Sequence, residues 1–485
     1  MGSEWSETTL GDIALGTDGA VDGPFGSNLP ASAYTENGYP IIRGSNLSVG
    51  LDDFKDHEFV YVPEEVFQRL SRSECKAGDI IFTKKGTLGQ TGLIRSEHRF
   101  DRYLLSSNQM RLRVDPSKAF PEYVYYWVSS QKAINKLIKD SECTGVPKIN
   151  LAYLKSFPIS LPDLGTQKSI VDVLGALNKK ITLNRQINQT LEQMAQTLFK
   201  SWFVDFDPVI DNALDAGNPI PDELQHRALI RQEQRKAVRQ GQAAAEKECE
   251  GFKPLPNDVR QLFPDAFEES ELGWVPKGWG VSTAGDEFTV KGGSTPSTKN
   301  AEFWEGGDIH WTSPKDLSGK AEKIMLDTER KITAAGLKKI TSGLLPENSV
   351  LMSSRAPIGY LALAKIPVAI NQGYIAIPST TRLSQEYALY WLDSSIDEIK
   401  GIAGGTTFAE ISKHTFKSIK MIVPDSKVTD IFSNLAKGYL DKITLNVKEV
   451  ATLTKLRDTL LPKLISGELR LDEIEAAVEQ ETVSA

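Results

Sequence analysis

The pentapeptide Lys180-Ile181-Thr182-Leu183-Asn184 occurs a second time as Lys442-Ile443-Thr444-Leu445-Asn446, 262 residues further along the chain. Each copy lies inside a run with helical apolar spacing, the first near 167–203 and the second near 429–465. A long isolated helix gains most of its stability from a packed face, so each run needs a partner, and the simplest partner is the other run. The repeat therefore predicts two long helices that pack lengthwise as an antiparallel pair.

Positions seven residues apart form a mostly apolar ladder in both runs, which is the spacing of helices that pack along their length. The predicted seam consists of Ile170, Leu177, Asn184, Leu191 and Leu198 in the first helix and of Phe432, Tyr439, Asn446, Leu453 and Leu460 in the second. Two interpretations of the asparagines remain open at this point. Either they are buried and set the register at a cost in stability, or they lie at a solvated edge of the seam.

The repeat extends beyond the helices into the segments that precede them. Ile81–Gly89 aligns with Leu351–Gly359, Asn108-Gln109 with Asn371-Gln372, and the aromatic set Tyr123, Tyr126 and Trp127 with Tyr387, Tyr390 and Trp391. Each preceding segment mixes short apolar runs typical of strands with stretches of helical spacing. The fold class predicted is mixed α/β (α+β): two tandem globular domains with pseudo-two-fold symmetry, separated by a pair of long antiparallel coiled-coil-like helices.

Six segments follow from this organisation. We predict a first globular domain over 1–163, a long helix over 164–205, an acidic connector over 206–272, a second globular domain over 273–425, a second long helix over 426–470 and an acidic tail over 471–485. Within the domains, 79–83 and 349–353 are predicted strands, and 121–138 and 384–399 are predicted helices. The connector is expected to hold one helix, from Asp222 to about Glu248. Its basic residues Arg227, Arg231, Arg235, Lys236 and Arg239 form either a solvated face or a contact with nucleic acid or a partner.

Composition narrows the class of protein. The chain has 485 residues, a formal net charge of −8 and 40% hydrophobic residues, with no apolar run long enough to cross a membrane, and its N-terminus lacks a signal-peptide core, so we expect a cytoplasmic protein. Cys75, Cys143 and Cys249 are too far apart for a disulfide framework or a metal motif. The acidic excess is concentrated in the connector and the tail, so the remaining body can carry basic faces.

The sequence contains no motif that predicts catalysis. There is no phosphate-binding Gly-rich loop with its lysine, no Asn-Pro-Pro-aromatic run, and the five histidines show no metal-ligand spacing. Polar residues instead cluster on turns after the predicted strands, where Lys and Arg suit phosphates or guanine edges and Asn and Gln suit adenine. The candidates for DNA contact are Arg43, Lys84, Lys85, Asn108, Gln109, Lys148, His310, Lys315, Arg355, Asn371 and Gln372. The most discriminating contacts are expected where the two halves differ, in 28–43 and 299–320.

Several phrases resemble the specificity (S) subunits of type I restriction-modification systems. They are Ser201-Trp-Phe-Val-Asp-Phe-Asp-Pro208, Leu262-Phe-Pro-Asp-Ala-Phe267, Glu271-Leu-Gly-Trp-Val-Pro-Lys-Gly-Trp279 and Leu461-Pro-Lys-Leu-Ile-Ser-Gly-Glu-Leu469. The resemblance runs from Trp5 to about Leu471. It implies two target-recognition domains that each read one half of a bipartite site in double-stranded DNA, and two helices that hold them apart and dock two methyltransferase (M) subunits.

The resemblance also implies what this chain lacks. S-adenosylmethionine, ATP and magnesium are expected on partner subunits, which are the M subunits and, in systems that have them, two restriction (R) subunits. No cofactor, metal, membrane contact or catalytic activity is expected of this chain. Two alternatives stay open. One is an S-like subunit of a stand-alone methylation or phage-exclusion system, and the other is a helical scaffold that does not bind DNA.

Overall fold

The structure, a computed structural model, describes residues 5–51, 54–141, 146–239, 255–404 and 409–469, with the side chains of 238 and 239 left aside. It divides into two units, the first made of 1–184 with 448–485 and the second of 185–447. Both boundaries fall inside the long helices. Each unit therefore combines one globular domain with one end of each helix, a division that the segment boundaries predicted from sequence do not contain.

The first unit begins with a run of short strands and a short helix. These are β1 (Ser6–Thr9), β2 (Ala20–Asp22), β3 (Tyr39–Ile42), β4 (Ser48–Val49), β5 (Val60–Val62), α1 (Glu64–Arg69), β6 (Glu74–Cys75), β7 (Asp79–Thr83), β8 (Gln90–Leu93), β9 (Tyr103–Leu105) and β10 (Gln109–Arg113). Then come α2 (Pro121–Val128), α3 (Gln131–Lys139), α4 (Leu151–Ser156), β11 (Pro158–Leu161) and the long helix α5 (Leu164–Phe199).

The second unit opens with the end of α5 and the connector. A π-helical turn (Lys200–Val204) leads into α6 (Asp207–Ala216), α7 (Asp222–Arg239) and α8 (Asn257–Arg260). The strands and helices that follow are β12 (Phe267–Ser270), β13 (Gly273–Pro276), β14 (Gly280–Thr283), α9 (Ala284–Glu287), β15 (Phe288–Lys291), β16 (Ile309–Thr312), β17 (Ile324–Met325), β18 (Arg330–Ile332), α10 (Ala334–Leu337), β19 (Val350–Ser353), β20 (Leu361–Ala364), β21 (Ala369–Ile370) and β22 (Tyr374–Thr380). The last elements are α11 (Gln385–Ser394), α12 (Ile396–Ile402), α13 (Lys413–Lys417), β23 (Lys420–Val423) and α14 (Ser426–Ser466).

The two units repeat one sheet topology except at one edge of the five-stranded sheet, where β4 pairs antiparallel with β8 but β17 pairs parallel with β20. The first has a five-stranded sheet in the order β2-β10-β7-β8-β4, a sheet in the order β5-β3-β9-β6 and the pair β1-β11. The second has β15-β22-β19-β20-β17, β18-β16-β21 and the pair β14-β23 in the corresponding places. In both, a parallel pair lies within an otherwise antiparallel sheet, β3 with β9 and β16 with β21. The predicted mixed α/β class and the duplication are thus confirmed.

The predicted domain helices at 121–138 and 384–399 are each two helices. The first breaks at Ser129 and Ser130, where the Ser130 hydroxyl accepts a hydrogen bond from the Ala133 N–H and caps α3. The second breaks at Ser395, between α11 and α12. A serine offers its hydroxyl to backbone groups and favours helix termini over helix interiors, which the aromatic spacing alone does not reveal.

The long helices run antiparallel within each unit. In the first unit, the Asn184 side-chain amide donates to Glu449 over 2.9 Å, and Arg457 donates to Asn178 over 3.0 Å. In the second unit, Asn446 donates to the side-chain oxygen of Asn188 over 2.8 Å. Asn184 is 2% exposed and Asn446 fully buried, so neither asparagine lies at a solvated edge of the seam.

Two rows of residues, not one, form the seam. Of the ladder predicted from sequence, Ile170, Asn184, Phe432, Asn446 and Leu460 are buried, while Leu177, Leu191, Leu198, Tyr439 and Leu453 are only half-buried. Most of the buried side chains between them belong to a second row, Leu174, Ile181, Asn188 and Ala195 in α5 and Ala436, Ile443 and Arg457 in α14, and Asn178, Leu440 and Leu456 are buried beside these rows. A helix that packs lengthwise alternates steps of three and four residues, so a single seven-residue row finds half of the contact face.

The phrase at 201–208 joins helix, connector and domain in the second unit. Trp202 and Phe203 are buried in the π-helical turn and contact Phe432 of α14, with ring centroids 6.4 and 5.3 Å apart. Phe203 also packs against Tyr387 of α11 at 5.0 Å. A buried aromatic of this size stabilises by several kcal/mol on the scale of about 25 cal/mol per Å². The phrase therefore anchors the second domain to the helix ends.

The phrase at 461–469 plays the matching part in the first unit. Leu461, Leu464 and Ile465 of α14 belong to the apolar core under the five-stranded sheet. The helix ends at Ser466, and Gly467 follows with φ +73°, the left-handed conformation that terminates helices. The Trp5 ring nitrogen lies 2.5 Å from where a Cβ would stand on Gly467, so the ring occupies the space of any larger residue.

The connector differs from the sequence prediction. The predicted helix is present as α7, with its described part ending at Arg239, and 240–248 lie outside the described residues. The sequence reasoning missed α6, whose aspartates Asp207, Asp211 and Asp215 recur every four residues, as do Arg227, Arg231 and Arg235 of α7. Each aspartate pairs with the arginine 20 positions later. Of the basic residues predicted to be solvated or to touch a partner, these three form an internal ion-pair ladder, and Lys236 is exposed.

Candidate nucleic-acid interface

The turn after β7 in the first unit and the turn after β19 in the second stand in equivalent places. Thr83, the last residue of β7, pairs with Gln109, and Ser353, the last of β19, pairs with Tyr374. Lys85 then forms a backbone bridge with Lys148, and Arg355 forms the corresponding bridge with Glu410. The first turn thus presents two lysines, while the second presents an arginine whose guanidinium lies 3.5 Å from a carboxylate.

The same registers correct one alignment made from sequence. Because Gln109 and Tyr374 occupy one sheet position, Asn108 corresponds to Gly373, and Asn371 and Gln372 correspond to Ser106 and Ser107. The two Asn-Gln pairs are therefore two residues out of step. Identical dipeptides suggested equivalence, but strand pairing sets the register, and a shift of two keeps every side chain on its face of the sheet.

A cleft of about 500 Å³ opens at these strand ends in the first unit. It is lined by Tyr34, Arg43, Gly44, Ser45, Thr83, Lys85, Thr87, Gln90, Ser106, Ser107, Asn108 and Gln109. Four candidates predicted from sequence thus lie together, Arg43, Lys85, Asn108 and Gln109. They come from segments up to 66 positions apart, between 43 and 109, which the sheets bring to one edge.

The polar groups of this cleft are held in place. Gln109 is 1% exposed, and its side-chain oxygen accepts a hydrogen bond from the Ser106 hydroxyl. The Gln90 amide donates to the Leu47 carbonyl over 3.3 Å, and its oxygen accepts from Thr83 over 3.2 Å. Arg43 donates to the Glu58 carbonyl over 3.3 Å, while its Nε has no hydrogen-bond partner in the described part of the chain. These hydrogen bonds hold the Gln90 and Gln109 amides in the cleft that the Arg43 guanidinium also lines.

Lys84 and Lys148 are placed differently from the other first-domain candidates. The Lys84 ammonium lies 3.0 Å from the Asp22 carboxylate, and its backbone N–H donates to the Asn108 carbonyl over 2.7 Å. Lys84 therefore ties the turn to β2, and its contact with DNA stays a prediction. Lys148 is exposed, and its backbone bridge to Lys85 sets the shape of the turn.

The second-domain candidates are mostly engaged with neighbouring side chains. His310 lies 3.2 Å from Asp327, and the Lys315 ammonium lies 3.0 Å from Glu329. Asn371 accepts a hydrogen bond from the Gly373 N–H over 2.8 Å, and Gln372 accepts one from Thr295 over 2.7 Å. These pairings leave fewer free cations than the sequence suggested, because each basic residue has an acid from another strand or loop beside it.

Sequence reasoning missed an aromatic cluster in the second domain. The Arg330 guanidinium carbon stands 3.4 Å from the centre of the Trp304 ring, and Trp304 meets Trp311 edge-on with centroids 5.1 Å apart. The close approach of a guanidinium to a tryptophan face is a cation–π contact. Trp304 and Trp311 lie inside 299–320, the stretch in which the most discriminating DNA contacts were expected. The two tryptophans in this stretch are the sequence signal from which the cluster could have been found.

The described part of the chain shows no group of three or more His, Cys, Asp or Glu residues able to hold a metal ion. Among the described helices, none is long and apolar enough to cross a membrane. Cys75 is buried, and burial raises the pKa of its thiol, while Cys143 and Cys249 lie outside the described residues.

The chain contains two mixed α/β domains, each followed by a long helix. The strand ends of both domains are polar, but they carry different side chains at equivalent positions. This arrangement defines a class of proteins with two related modules. A family model for the type I restriction modification DNA specificity domain matches residues 3–193 and 276–452. These matches cover most of the chain, and the protein belongs to this family.

Relatives agree with this assignment. The chain is 27% identical over 477 residues to the type I restriction enzyme HindI specificity subunit of Haemophilus influenzae, covering 96% of this chain and 100% of that protein. It is 35% identical over 200 residues to the MjaIX specificity subunit of Methanocaldococcus jannaschii, covering 41% of this chain and 46% of that protein. The crystal structure of a type I S subunit from M. genitalium shares the fold with a TM-score of 0.52 at 15% identity, over 95% of this chain and 96% of that one.

Proposed function

We propose that this chain reads a bipartite DNA site for a type I restriction-modification complex, one half-site by each target-recognition domain, without catalysing a reaction itself. One observation carries the proposal. The two domains share a sheet topology but differ at equivalent strand-end positions, where Lys148 is replaced by Glu410 and Gln109 by Tyr374. Shared scaffolds with different polar edges suit the reading of two different base sequences.

The two long helices, α5 and α14, are the part of the chain that docks the M subunits in this proposal. They are 36 and 41 residues long, roughly 54 and 62 Å at about 1.5 Å per residue, and they hold M subunits. S-adenosylmethionine, ATP and magnesium belong to M and R subunits in this arrangement. This chain supplies base contacts and register, and its described residues offer no group able to hold a metal.

The test is methylation mapping in reconstituted complexes. The full chain is co-purified with M subunits from its own operon, supplied with S-adenosylmethionine and random genomic DNA, and methylated adenines are mapped by sequencing. We expect one two-part motif with a constant gap, and no methylation by either component alone. A complex that binds M subunits but leaves DNA unmethylated and unbound would favour the scaffold alternative. Methylation without any R subunit in the operon would favour the stand-alone alternative and keep the proposed reading role.

Lys85→Ala is expected to weaken DNA binding more than Arg355→Ala. The Lys85 side chain is exposed beside a second lysine, whereas Arg355 already faces Glu410 at 3.5 Å. Losing one phosphate contact lowers the slope of log K against log salt by about one unit. Fluorescence anisotropy with a duplex containing the mapped site, at several salt concentrations, measures both quantities.

Two further variants sharpen this comparison. Lys132→Ala removes an exposed lysine from α3 and serves as the control for general charge loss. Glu410→Ala removes the carboxylate beside Arg355 and is expected to tighten binding. An unchanged slope for Lys85→Ala, or weaker binding by Glu410→Ala, would place the DNA elsewhere on these domains.

A further inference from the structure

A second polar cleft, of about 400 Å³, lies in the first unit on residues that the DNA-reading proposal does not use. It is lined by Asp18, Ser71, Arg72, Glu74, Lys76, Arg111 and Arg113. Gln109, Arg111 and Arg113 alternate along β10 and so share one face of the sheet. Gln109 belongs to the first cleft and Arg113 to the second, so the two clefts open at opposite ends of this strand, roughly 13 Å apart at about 3.3 Å per residue.

We propose that this second cleft is a phosphate-binding site of the first domain, formed around Arg111, Arg72 and Lys76. Its donors are two guanidinium groups, an ammonium and the Ser71 hydroxyl, a set that matches a tetrahedral oxyanion. The proposal does not rest on the DNA-reading role, because the phosphate is sought as a free ion first.

Arg111 is the central residue of the cleft: its guanidinium is buried and forms no ion pair with any described residue, although the carboxylates of Asp79 and Asp18 lie near enough to act on its charge. The side chain is 4% exposed, and its two terminal nitrogens donate to backbone carbonyls, those of Glu74 and Asp18. Its Nε has no hydrogen-bond partner among the residues that the structure describes. Burial lowers the pKa of this arginine, as expected for a cation withdrawn from water. A buried charge is costly unless an opposite charge compensates it, and a bound anion supplies that compensation.

The rest of the cleft keeps its positive charge. Glu74 is occupied by Arg102, over 2.8 and 3.1 Å, and Arg113 by Asp79, over 2.7 and 2.8 Å. Arg72 and Lys76 are exposed, and neither forms an ion pair with any residue that the structure describes. Of the two acids among the described residues that line the cleft, Glu74 is thus paired with Arg102, and the exposed Asp18 carboxylate is the one negative charge set against Arg72, Lys76 and Arg111.

The equivalent strand positions of the second domain do not carry these arginines. The strand register that equates Gln109 with Tyr374 places Ala376 and Pro378 at the positions of Arg111 and Arg113. Neither residue offers a cation or a side-chain donor. The feature is therefore not demanded by the shared fold, and it distinguishes the first domain from the second.

The test titrates inorganic phosphate into the full chain by isothermal calorimetry at constant ionic strength, with chloride as the balancing anion. We expect saturable binding to the unmodified chain and a loss of affinity of about tenfold or more in Arg72→Ala/Lys76→Ala, since each charge-assisted contact contributes on that scale. Lys132→Ala/Lys139→Ala removes the same charge from exposed positions of α3 and should bind phosphate normally. Arg111→Met should abolish phosphate binding. If the Arg111→Met variant does not fold, the result for Arg72→Ala/Lys76→Ala decides the question alone.

A second arm separates a free phosphate from a phosphate of the DNA backbone. If the cleft takes the backbone, saturating duplex displaces inorganic phosphate, and Arg72→Ala/Lys76→Ala lowers the salt slope of DNA binding by about one to two units. If the cleft takes a free phosphate or a phosphorylated small molecule, phosphate binds equally well to the DNA complex and the slope stays constant. Both results support the site. Absence of saturable phosphate binding, or binding that the Arg72/Lys76 double variant leaves unchanged, overturns it.

Discussion

Replacing the first domain, residues 1 to about 160, with that of another family member is expected to change one half of the methylated motif completely and to leave the other half unaltered. The reason is that each unit has its own cores and its own polar strand ends. No side chain of the second domain is altered by the exchange. Methylation mapping of the chimaera with the same M subunits measures the outcome.

The structure adds a condition to this exchange. The core of the first unit also contains Leu456, Leu460 and Leu461 of α14, far from the exchanged segment in sequence. The donor domain should therefore keep apolar residues of similar volume at the contact, or the α14 face should be exchanged with it. Exchanging 273–425 instead is the matched control and should alter only the opposite half of the motif. A chimaera that folds, binds M subunits and changes both halves would show that the domains do not read independently.

Asp211→Ala is expected to destabilise the connector by about 3–5 kcal/mol, the cost of removing one partner from a buried ion pair. Asp211 is 7% exposed and Arg231 8%, and the two side chains form a bidentate pair. Without the carboxylate, the guanidinium remains buried between α6 and α7. Hydrogen exchange of 207–235 in the full chain measures the local loss of stability, and urea unfolding measures its spread to the rest of the second unit.

Two controls test the physical reason. Glu233→Ala removes an exposed acid from α7 and should change exchange little. Asp211→Ala/Arg231→Met removes both charges and should recover most of the loss, because no uncompensated charge remains. A double variant as unstable as Asp211→Ala would mean that packing volume, not charge pairing, dominates this contact.

The duplication could be predicted from the sequence because the same sequence pattern occurs in both halves of the chain. The Lys-Ile-Thr-Leu-Asn repeat and its flanking apolar spacing predicted both long helices, their antiparallel packing and two domains of one topology. Strands such as 79–83 were also predictable, since a short apolar run bounded by turn residues is a local property of the chain. Periodicity and repetition need no knowledge of distant residues.

Contacts between segments that are distant in the sequence could not be predicted from the sequence. Asn184 and Asn446 occupy identical repeats, yet one meets Glu449 and the other Asn188, because the residues opposite them differ. The sequence does not distinguish Lys84 from Lys85. Only the fold shows that the Asp22 carboxylate, from another strand, lies beside the Lys84 ammonium.

The same limit explains the register of Asn371 and the role of Arg231. Strand pairing places Asn371 at the position of the second domain that is equivalent to Ser106 in the first. The packing of α6 against α7 pairs the basic face of α7 with aspartates and so forms an internal ion-pair ladder. Local sequence sets which residues are helical, extended or apolar. Only tertiary structure decides which charges neutralise each other, because partners 20 to 265 positions apart are chosen by packing and not by neighbourhood in the chain.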